Sequence, residues 1–504
     1  MNEPPQAGSG RLPADVQSLQ SRIRAGCRLI AIETRDELRV VELFNHVRRD
    51  GLRPLIGWTA TEGLQRLDAD IDLHGETTDP EDALRWIRQH PDRCIFLLKD
   101  FHPYLENPVI TRLLREIGRG GEDNEHVLVL VSPELNLPPE LRNLANRFEL
   151  SLPDAGELEE MIRQEARDWT RKNRSRKVRT SPRALELLIA NLRGLPMKDA
   201  RRLARNAIWN DGAISEDDLA GVMETKFQLL SPDGILQFEM ETDQFSQVAG
   251  MNALKRWLDQ RAPVFAADEP PRGLDIPRGV LLLGVQGCGK SMAARAVAGR
   301  FGLPLLSMDC GALHNRYHGE SERNLRECLQ SADIMAPCVL WMDEIEKGLS
   351  VSDQDGGTSR RMLGSLLTWM AERRSRVFIV ATANDIDQLP PELIRQGRFD
   401  EIFFVDLPDG ETRSRILAIH LQRRDLEVDR FDLDRLAEAS QGFSGAELEQ
   451  AVVSGLFASH AGNRPAETRD LLAAIESTRP LSVVMAERIG ELRRWARERT
   501  VPAD

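Results

Sequence analysis

From about Val16 onward, short apolar runs alternate with longer amphipathic stretches. CRLIAIE (27–33), PLIGWT (54–59), CIFLLKD (94–100) and HVLVLVS (126–132) read as buried strands, because a strand covered on both faces has no need of polar alternation. Between them, DELRVVELFNHVRR and NPVITRLLREI carry apolar residues at helical spacing. Strand–helix alternation predicts an α/β fold with a parallel, doubly wound sheet. After Pro153 the pattern becomes all-helical to about Phe227. QLLSPDGILQFEMETD then breaks it with Ser-Pro-Asp-Gly and reads as a linker. Alternation resumes with GVLLLG, LPLLSMD, CVLWMD, RVFIVAT and EIFFVDLP, and a helical stretch follows from Gly410. The expected organisation is a disordered tail over 1–15, an α/β module over 16–154 and a helical region over 155–228. A linker over 229–243, a second α/β module over 244–409 and C-terminal helices over 410–504 complete it.

The order "sheet, then helices" thus occurs twice, and four echoes support a duplication. CIFLLKDF at Cys94–Phe101 is matched by CVLWMDEI at Cys338–Ile345. LPPEL recurs identically at Leu137–Leu141 and Leu389–Leu393, followed by FELSLPD in one copy and FFVDLPD in the other. Gly194 and Gly442 hold similar places in the two helical parts.

Only the second copy carries chemistry. GVQGCGKS, from Gly284 through Val285, Gln286, Gly287, Cys288, Gly289 and Lys290 to Ser291, fits G-x-x-x-x-G-K-[ST] and lies between a strand and a helical run. Glycines let backbone N–H groups approach phosphate oxygens, and a helix N-terminus adds partial positive charge. Lys290 is expected to reach the β- and γ-phosphates of ATP, and the Ser291 hydroxyl to ligand Mg²⁺. CVLWMDEI adds Asp343, which can hold the Mg²⁺, and Glu344, which can polarise an attacking water. These acids end a strand at the carboxyl edge of the sheet, where open α/β folds bind ligands. RVFIVATANDI places Asn384 on the same edge, positioned to orient that water with Glu344.

Composition narrows the remaining classes. A chain of 504 residues with 41% hydrophobic and 29% charged positions has enough apolar mass for several soluble domains. The net charge of −13 argues against a chain-wide nucleic-acid surface, although RKNRSRKVR (171–179) is a local basic run. The six cysteines, at 27, 94, 288, 310, 328 and 338, form no CxxC pair and fit reduced thiols. No apolar run approaches membrane-spanning length and the N-terminus has no signal-peptide pattern, so a cytoplasmic, membrane-free protein is expected. No HExxH occurs, which removes a zincin-type protease site.

With these motifs in view, the stretch from about Phe245 to Leu471 resembles the AAA family of AAA+ ATPases, including its second region of homology, SRRMLGSLLTWMAERRSRVFIVATANDIDQLPPELIRQGRFDE. From about Leu19 to Leu471 the chain also resembles a divergent AAA group that includes the plastid and cyanobacterial hypothetical chloroplast reading frame forty-six product. The resemblance implies a P-loop, RecA-like domain over 244–409 with a helical lid, preceded by a degenerate RecA-like module with a lid-like region of its own. It implies that Arg395 and Arg398 in IRQGRFD act as arginine fingers on a neighbouring subunit's nucleotide. It also implies adenine-side backbone contacts from Ala249 and Gly250, packing of His420 near the base, and a lid signature at GFSGAEL that includes Ala446. Tyr317, with His318 beside it, holds the family's pore-loop place, where an aromatic grips a protein client. The loop departs from the family's GPPGTGKT at Val285, Gln286 and Cys288, none of which removes a phosphate ligand.

The implied activity is ATP hydrolysis by a ring, expected to be a hexamer, that remodels protein clients. An ATP-dependent switch or scaffold with little threading, and a nucleic-acid-stimulated ATPase, are the rival readings. In the first copy CRLIAIE runs directly into TRDELRVVELF without a glycine loop, and Lys99 stands where Asp343 stands in the second. Glu33, Asp36 and Glu37 would repel a triphosphate there, so that module is expected to serve as scaffold, adaptor or ring partner.

Overall fold

The computed structural model describes residues 14–504 except 35, 49–52, 70–76, 121–124, 174–175, 231–234, 241–247, 268–269, 314–319, 350–356 and 396. The chain divides into two compact units, Met1–Arg179 with Leu192–Ala213, and Thr180–Asn191 with Ile214–Asp504.

The first unit is built on a six-stranded sheet in the order Gly63–Arg66, Leu55–Thr59, Ile95–Lys99, Val127–Ser132, Leu29–Glu33, Asn146–Arg147. Every pairing is parallel except that of the edge strand Gly63–Arg66 with Leu55–Thr59. The central strands are apolar on both faces because both faces are covered. Trp58, Phe96 and Leu130 pack on one side, and Ile30, Phe44 and Val129 on the other.

The second unit carries a seven-stranded sheet. Its order is Val501–Pro502, Glu401–Val405, Gly279–Gly284, Val377–Ala383, Cys338–Asp343, Leu305–Asp309, Leu236–Glu239. Pairing is again parallel except at the last edge. Taken from Leu305–Asp309 to Glu401–Val405, the five parallel strands run in the same spatial order as Leu55–Thr59 to Asn146–Arg147 in the first unit. The two units therefore share one topology, and CIFLLKD and CVLWMD occupy the same place in it. The antiparallel edge strand differs: in the first unit it follows its neighbour in sequence, and in the second it precedes it.

That second edge strand lies in the stretch whose Ser-Pro-Asp-Gly reads as a linker. Leu236 and Phe238, two residues apart, turn to the same side of the sheet. Leu236 is buried, and Phe238 stacks on Phe227 at 5.3 Å between ring centroids. The Ser-Pro-Asp-Gly sequence just before it obscures a pattern only four residues long. The helices of the lid, Gly410–Gln422, Leu433–Ala439, Gly445–Ala461 and Thr468–Ser477, enclose a separate core of Leu417, Leu421, Leu436, Leu448, Val452 and Leu471.

Candidate nucleotide site

The strand Gly279–Gly284 is buried along its whole length and ends in the glycine loop. Gly287 and Gly289 hold positive φ of 77° and 87°, which residues with a Cβ adopt at a cost. At Gly287 an added Cβ would also lie 3.1 Å from Ser444 Oγ and 3.2 Å from Ala446 Cβ. The close approach is used: the Ala446 N–H donates to the Gly287 carbonyl at 3.0 Å, seating the lid helix Gly445–Ala461 on the loop. Helix Lys290–Phe301 then starts from Gly289 with no side-chain cap. Its first N–H groups therefore lack the partner that most helix starts provide, the condition for anion binding at a helix N-terminus.

Lys290 is buried beside this turn, and its Nζ donates to the carbonyls of Gly284 at 2.9 Å and Val285 at 2.8 Å. Burial draws its pKa down to about 8. The Cys288 thiol, also burial-controlled, is pushed up to about 12 and so stays protonated.

The acids are ordered by a residue that the motifs do not mark. Thr382 donates its hydroxyl to Asp343 Oδ1 at 2.5 Å and accepts the Glu344 N–H at 3.0 Å. Asn384 donates its side-chain amide to Glu344 Oε1 at 2.9 Å, and Lys347 pairs with the other oxygen of that carboxylate. Behind them, Glu346 accepts the Asn384 N–H at 2.9 Å. Burial raises the Glu346 pKa, and its Oε2 has no hydrogen-bond partner among the described residues. A polar Thr382 inside the apolar run VFIVATA is the one sequence signal that could have flagged its role.

One cavity of about 350 Å³ gathers most of the expected residues. Gln286 to Ser291, Asp343, Glu344 and Asn384 line it at the glycine-loop end, and Ala249, His420 and Ala446 line the other end. Val248, Met251, Ile416, Ile419 and Glu449, which the motifs did not single out, also line it, as do Met292, Thr382 and Gly445. The apolar members make that end suited to a flat heterocycle. His420 is buried, and desolvation lowers its pKa; its Nδ1 lies 3.6 Å from a Glu449 carboxylate oxygen. Gly284, Val285 and Gly250 do not line the cavity. Arg395 and Arg398 stand outside it: Arg395 is exposed, and Arg398 donates to the Leu367 carbonyl at 2.8 Å. Tyr317 and His318 lie outside the described residues.

The matching place in the first unit is built differently. Helix Glu37–Val47 follows its strand as Lys290–Phe301 follows Gly279–Gly284, but Asp36 caps it. One Asp36 oxygen accepts the Arg39 N–H at 3.2 Å, and the other lies 3.4 Å from the Lys198 N–H at the start of helix Met197–Asp211. An internal carboxylate thus sits where the second unit leaves its helix open. Lys99, in the place of Asp343, pairs with Glu37 at 3.5 Å.

Comparison with known proteins agrees with this geometry. Residues 280–407 match the ATPase family associated with various cellular activities (AAA). Residues 15–150 match the SpoVK-like AAA ATPase N-terminal domain, and 156–233 its second domain. The chain is 34% identical to the AAA domain-containing protein ycf46 of Guillardia theta, over 95% of this chain and 94% of that one. It is 33% identical to the ycf46 protein of Trieres chinensis (94% and 95% covered) and 31% to that of Pyropia yezoensis (95% and 97%). No helix among the described residues is long and apolar enough to cross a membrane. A nucleotide-type cavity on a duplicated α/β frame, together with full-length similarity of this extent, places the chain in the AAA ATPase family, among the ycf46-like proteins.

Proposed function

We propose that this protein hydrolyses ATP to ADP and phosphate at the cavity of the second unit, works as a ring whose subunits complete one another's sites, and uses the cycle to remodel protein clients. The observation that carries the reading is the convergence of an uncapped helix N-terminus, Lys290, the Asp343–Glu344 pair and Asn384 on one cavity. The loop N–H groups and Lys290 would bind the phosphates. Ser291 and Asp343 would hold Mg²⁺, which when bound offsets phosphate charge. Two protein groups suffice, since Mg²⁺ keeps waters and phosphate oxygens as its other ligands. Thr382 fixes the Asp343 carboxylate for this task.

Glu344 would take the proton of the attacking water, and Asn384 would orient it. Both are already in contact at 2.9 Å, and Lys347 holds the remaining Glu344 oxygen. Lys347 must give way before that oxygen can accept a proton. Arg395 and Arg398, outside the cavity of their own subunit, fit a role at a neighbour's site, where such a guanidinium is worth about 10³–10⁵ in rate. The ring, the hexamer, the client and the pore role of Tyr317 rest on family resemblance.

The test is Mg²⁺-dependent ATPase activity measured across protein concentration. Specific activity should rise with concentration as subunits associate, and Lys290→Ala should abolish nucleotide binding. Full activity in a monomer lacking both arginines would overturn the shared-site reading.

A further inference from the structure

The turn at the base end of the cavity is held only in part by its own sequence, through Lys255 Nζ, which donates to the Val248 carbonyl at 2.7 Å. Val248, Ala249 and Met251 line the wall, and helix Asn252–Ala266 begins immediately after them. Met251, at the N-cap position, has a left-handed φ of 56° and offers no side-chain cap. The first N–H groups of the helix are satisfied instead by residues 503 and 504. The Ala503 carbonyl accepts the N–H groups of Ala253 at 2.9 Å and Leu254 at 3.1 Å. Asp504 Oδ1 accepts the Asn252 N–H at 3.1 Å.

These residues are themselves fixed. Val501 and Pro502 pair with Phe403 and Phe404 at the sheet edge, and the Ala503 N–H donates to the Phe404 carbonyl at 2.9 Å. Upstream, Arg493 grips Asp406 with two nitrogens at 2.8 to 3.0 Å, at the end of the strand that leads into the lid. At Gly250 a Cβ would lie 3.0 Å from Asp504 Oδ2 on one side and 3.0 Å from Thr412 Cγ2 on the other. Thr412 starts the lid helix that carries Ile416, Ile419 and His420 to the cavity. Base turn, lid helix and residues 501–504 therefore meet at one point.

We propose that residues 501–504 are a strap that positions the base-side turn for nucleotide, and that Asp504 is a positioning residue for nucleotide affinity. The inference rests on reading the cavity as the nucleotide site. Asp504 acts through the backbone of Asn252 and through the narrow space at Gly250. It touches neither phosphate ligands nor the water-activating group. Its loss loosens the turn at Asn252 and Gly250, while the Ala503 carbonyl and Lys255 still hold its flanks and the acids at the sheet edge stay in place, so affinity should change and the chemical step should not.

The experiment uses the full-length protein with fluorescent ADP for binding and ATP for turnover, comparing wild type, Asp504→Ala, Asp504→Asn and Lys290→Ala. Asp504→Ala should raise the Kd for fluorescent ADP and the KM for ATP about three- to tenfold, in line with loss of a helix cap, with kcat unchanged. Asp504→Asn keeps an oxygen acceptor and should stay within about twofold of wild type. A lower melting temperature of nucleotide-free Asp504→Ala with Kd unchanged would make the contact merely structural and overturn the proposal, provided wild type binds and Lys290→Ala does not. Tight binding by Lys290→Ala, or none by wild type, would instead overturn the nucleotide reading of the cavity, and the strap with it.

Discussion

Asn384 donates its side-chain amide to Glu344 across 2.9 Å, from the end of one central strand to the end of the next. Glu344 holds this position with a left-handed backbone, φ 48°. Glu344→Gln keeps the shape and removes the proposed base. It should bind ATP normally and lose roughly 10²–10⁴ in single-turnover rate. Asn384→Ala removes the orienting donor and should cost roughly 10² in the same assay while leaving nucleotide affinity intact. Rapid turnover by Glu344→Gln would remove the base assignment.

Lys290 gives a pH signature. Burial brings its pKa to about 8, well below the ordinary lysine value. A bound triphosphate favours the charged form, so binding draws on the protonated population of the free protein. ATP affinity should be flat below about pH 7 and should weaken as pH rises through 8, approaching tenfold per unit beyond it. The same depressed pKa means that the unfolded chain holds this proton more tightly between pH 8 and the normal lysine range. This site's contribution to folding stability therefore rises with pH over that window, opposite in direction to the affinity. Isothermal titration of ADP in buffers of differing ionisation enthalpy should show proton uptake near pH 8.

The first unit keeps the same backbone turn with different residues on it. Asp100 has φ 50°, matching the 48° of Glu344, at the corresponding place after the corresponding strand. Its helix start is occupied by Asp36, which satisfies donors from two helices. Asp36→Ala should cost about 1 kcal/mol, read as a lower urea midpoint, and Asp36→Asn should cost less because an oxygen acceptor remains. Neither change should alter nucleotide stoichiometry, since Lys99 still stands in the place of Asp343 and pairs with Glu37. A second equivalent of bound ADP in wild type would show that the first unit retains a site.

The strands at Leu29–Glu33, Ile95–Lys99, Val127–Ser132 and Gly279–Gly284 were legible because central parallel strands need unbroken apolar runs. The phosphate loop was legible because its glycines and Lys290 follow one another in sequence. Thr382 was not, because its partners Asp343 and Glu344 come from the neighbouring strand, and sheet adjacency is set by topology. Asp36 read only as an acid hostile to phosphate. That it caps one helix and meets the start of another 162 positions away depends on folding. Asp504 and Asn252 are 252 positions apart, so their bond leaves no local pattern. The Leu236–Glu239 strand was hidden by its shortness and by the Ser-Pro-Asp-Gly sequence before it.

Arg398 and Arg395 differ in how they are held, and that difference predicts how they fail. Arg398 is half-buried and donates to the Leu367 carbonyl on helix Thr358–Glu372, so its loss removes an anchor of its own loop as well as a cation. Arg395 is exposed and contributes little to the fold of its own subunit. Arg395→Ala should therefore leave melting temperature and fluorescent-ADP affinity unchanged while lowering ATPase activity by about 10³-fold if it reaches a neighbour's phosphates. Arg398→Ala should lower activity and also destabilise by about 1 kcal/mol. Mixing each variant with an excess of Lys290→Ala separates the roles. The Lys290→Ala subunits keep their arginines but bind no nucleotide, so they should restore turnover in the arginine variants' own sites. Failure of that rescue at concentrations where mixed assemblies form would show that the guanidinium groups do not act between subunits.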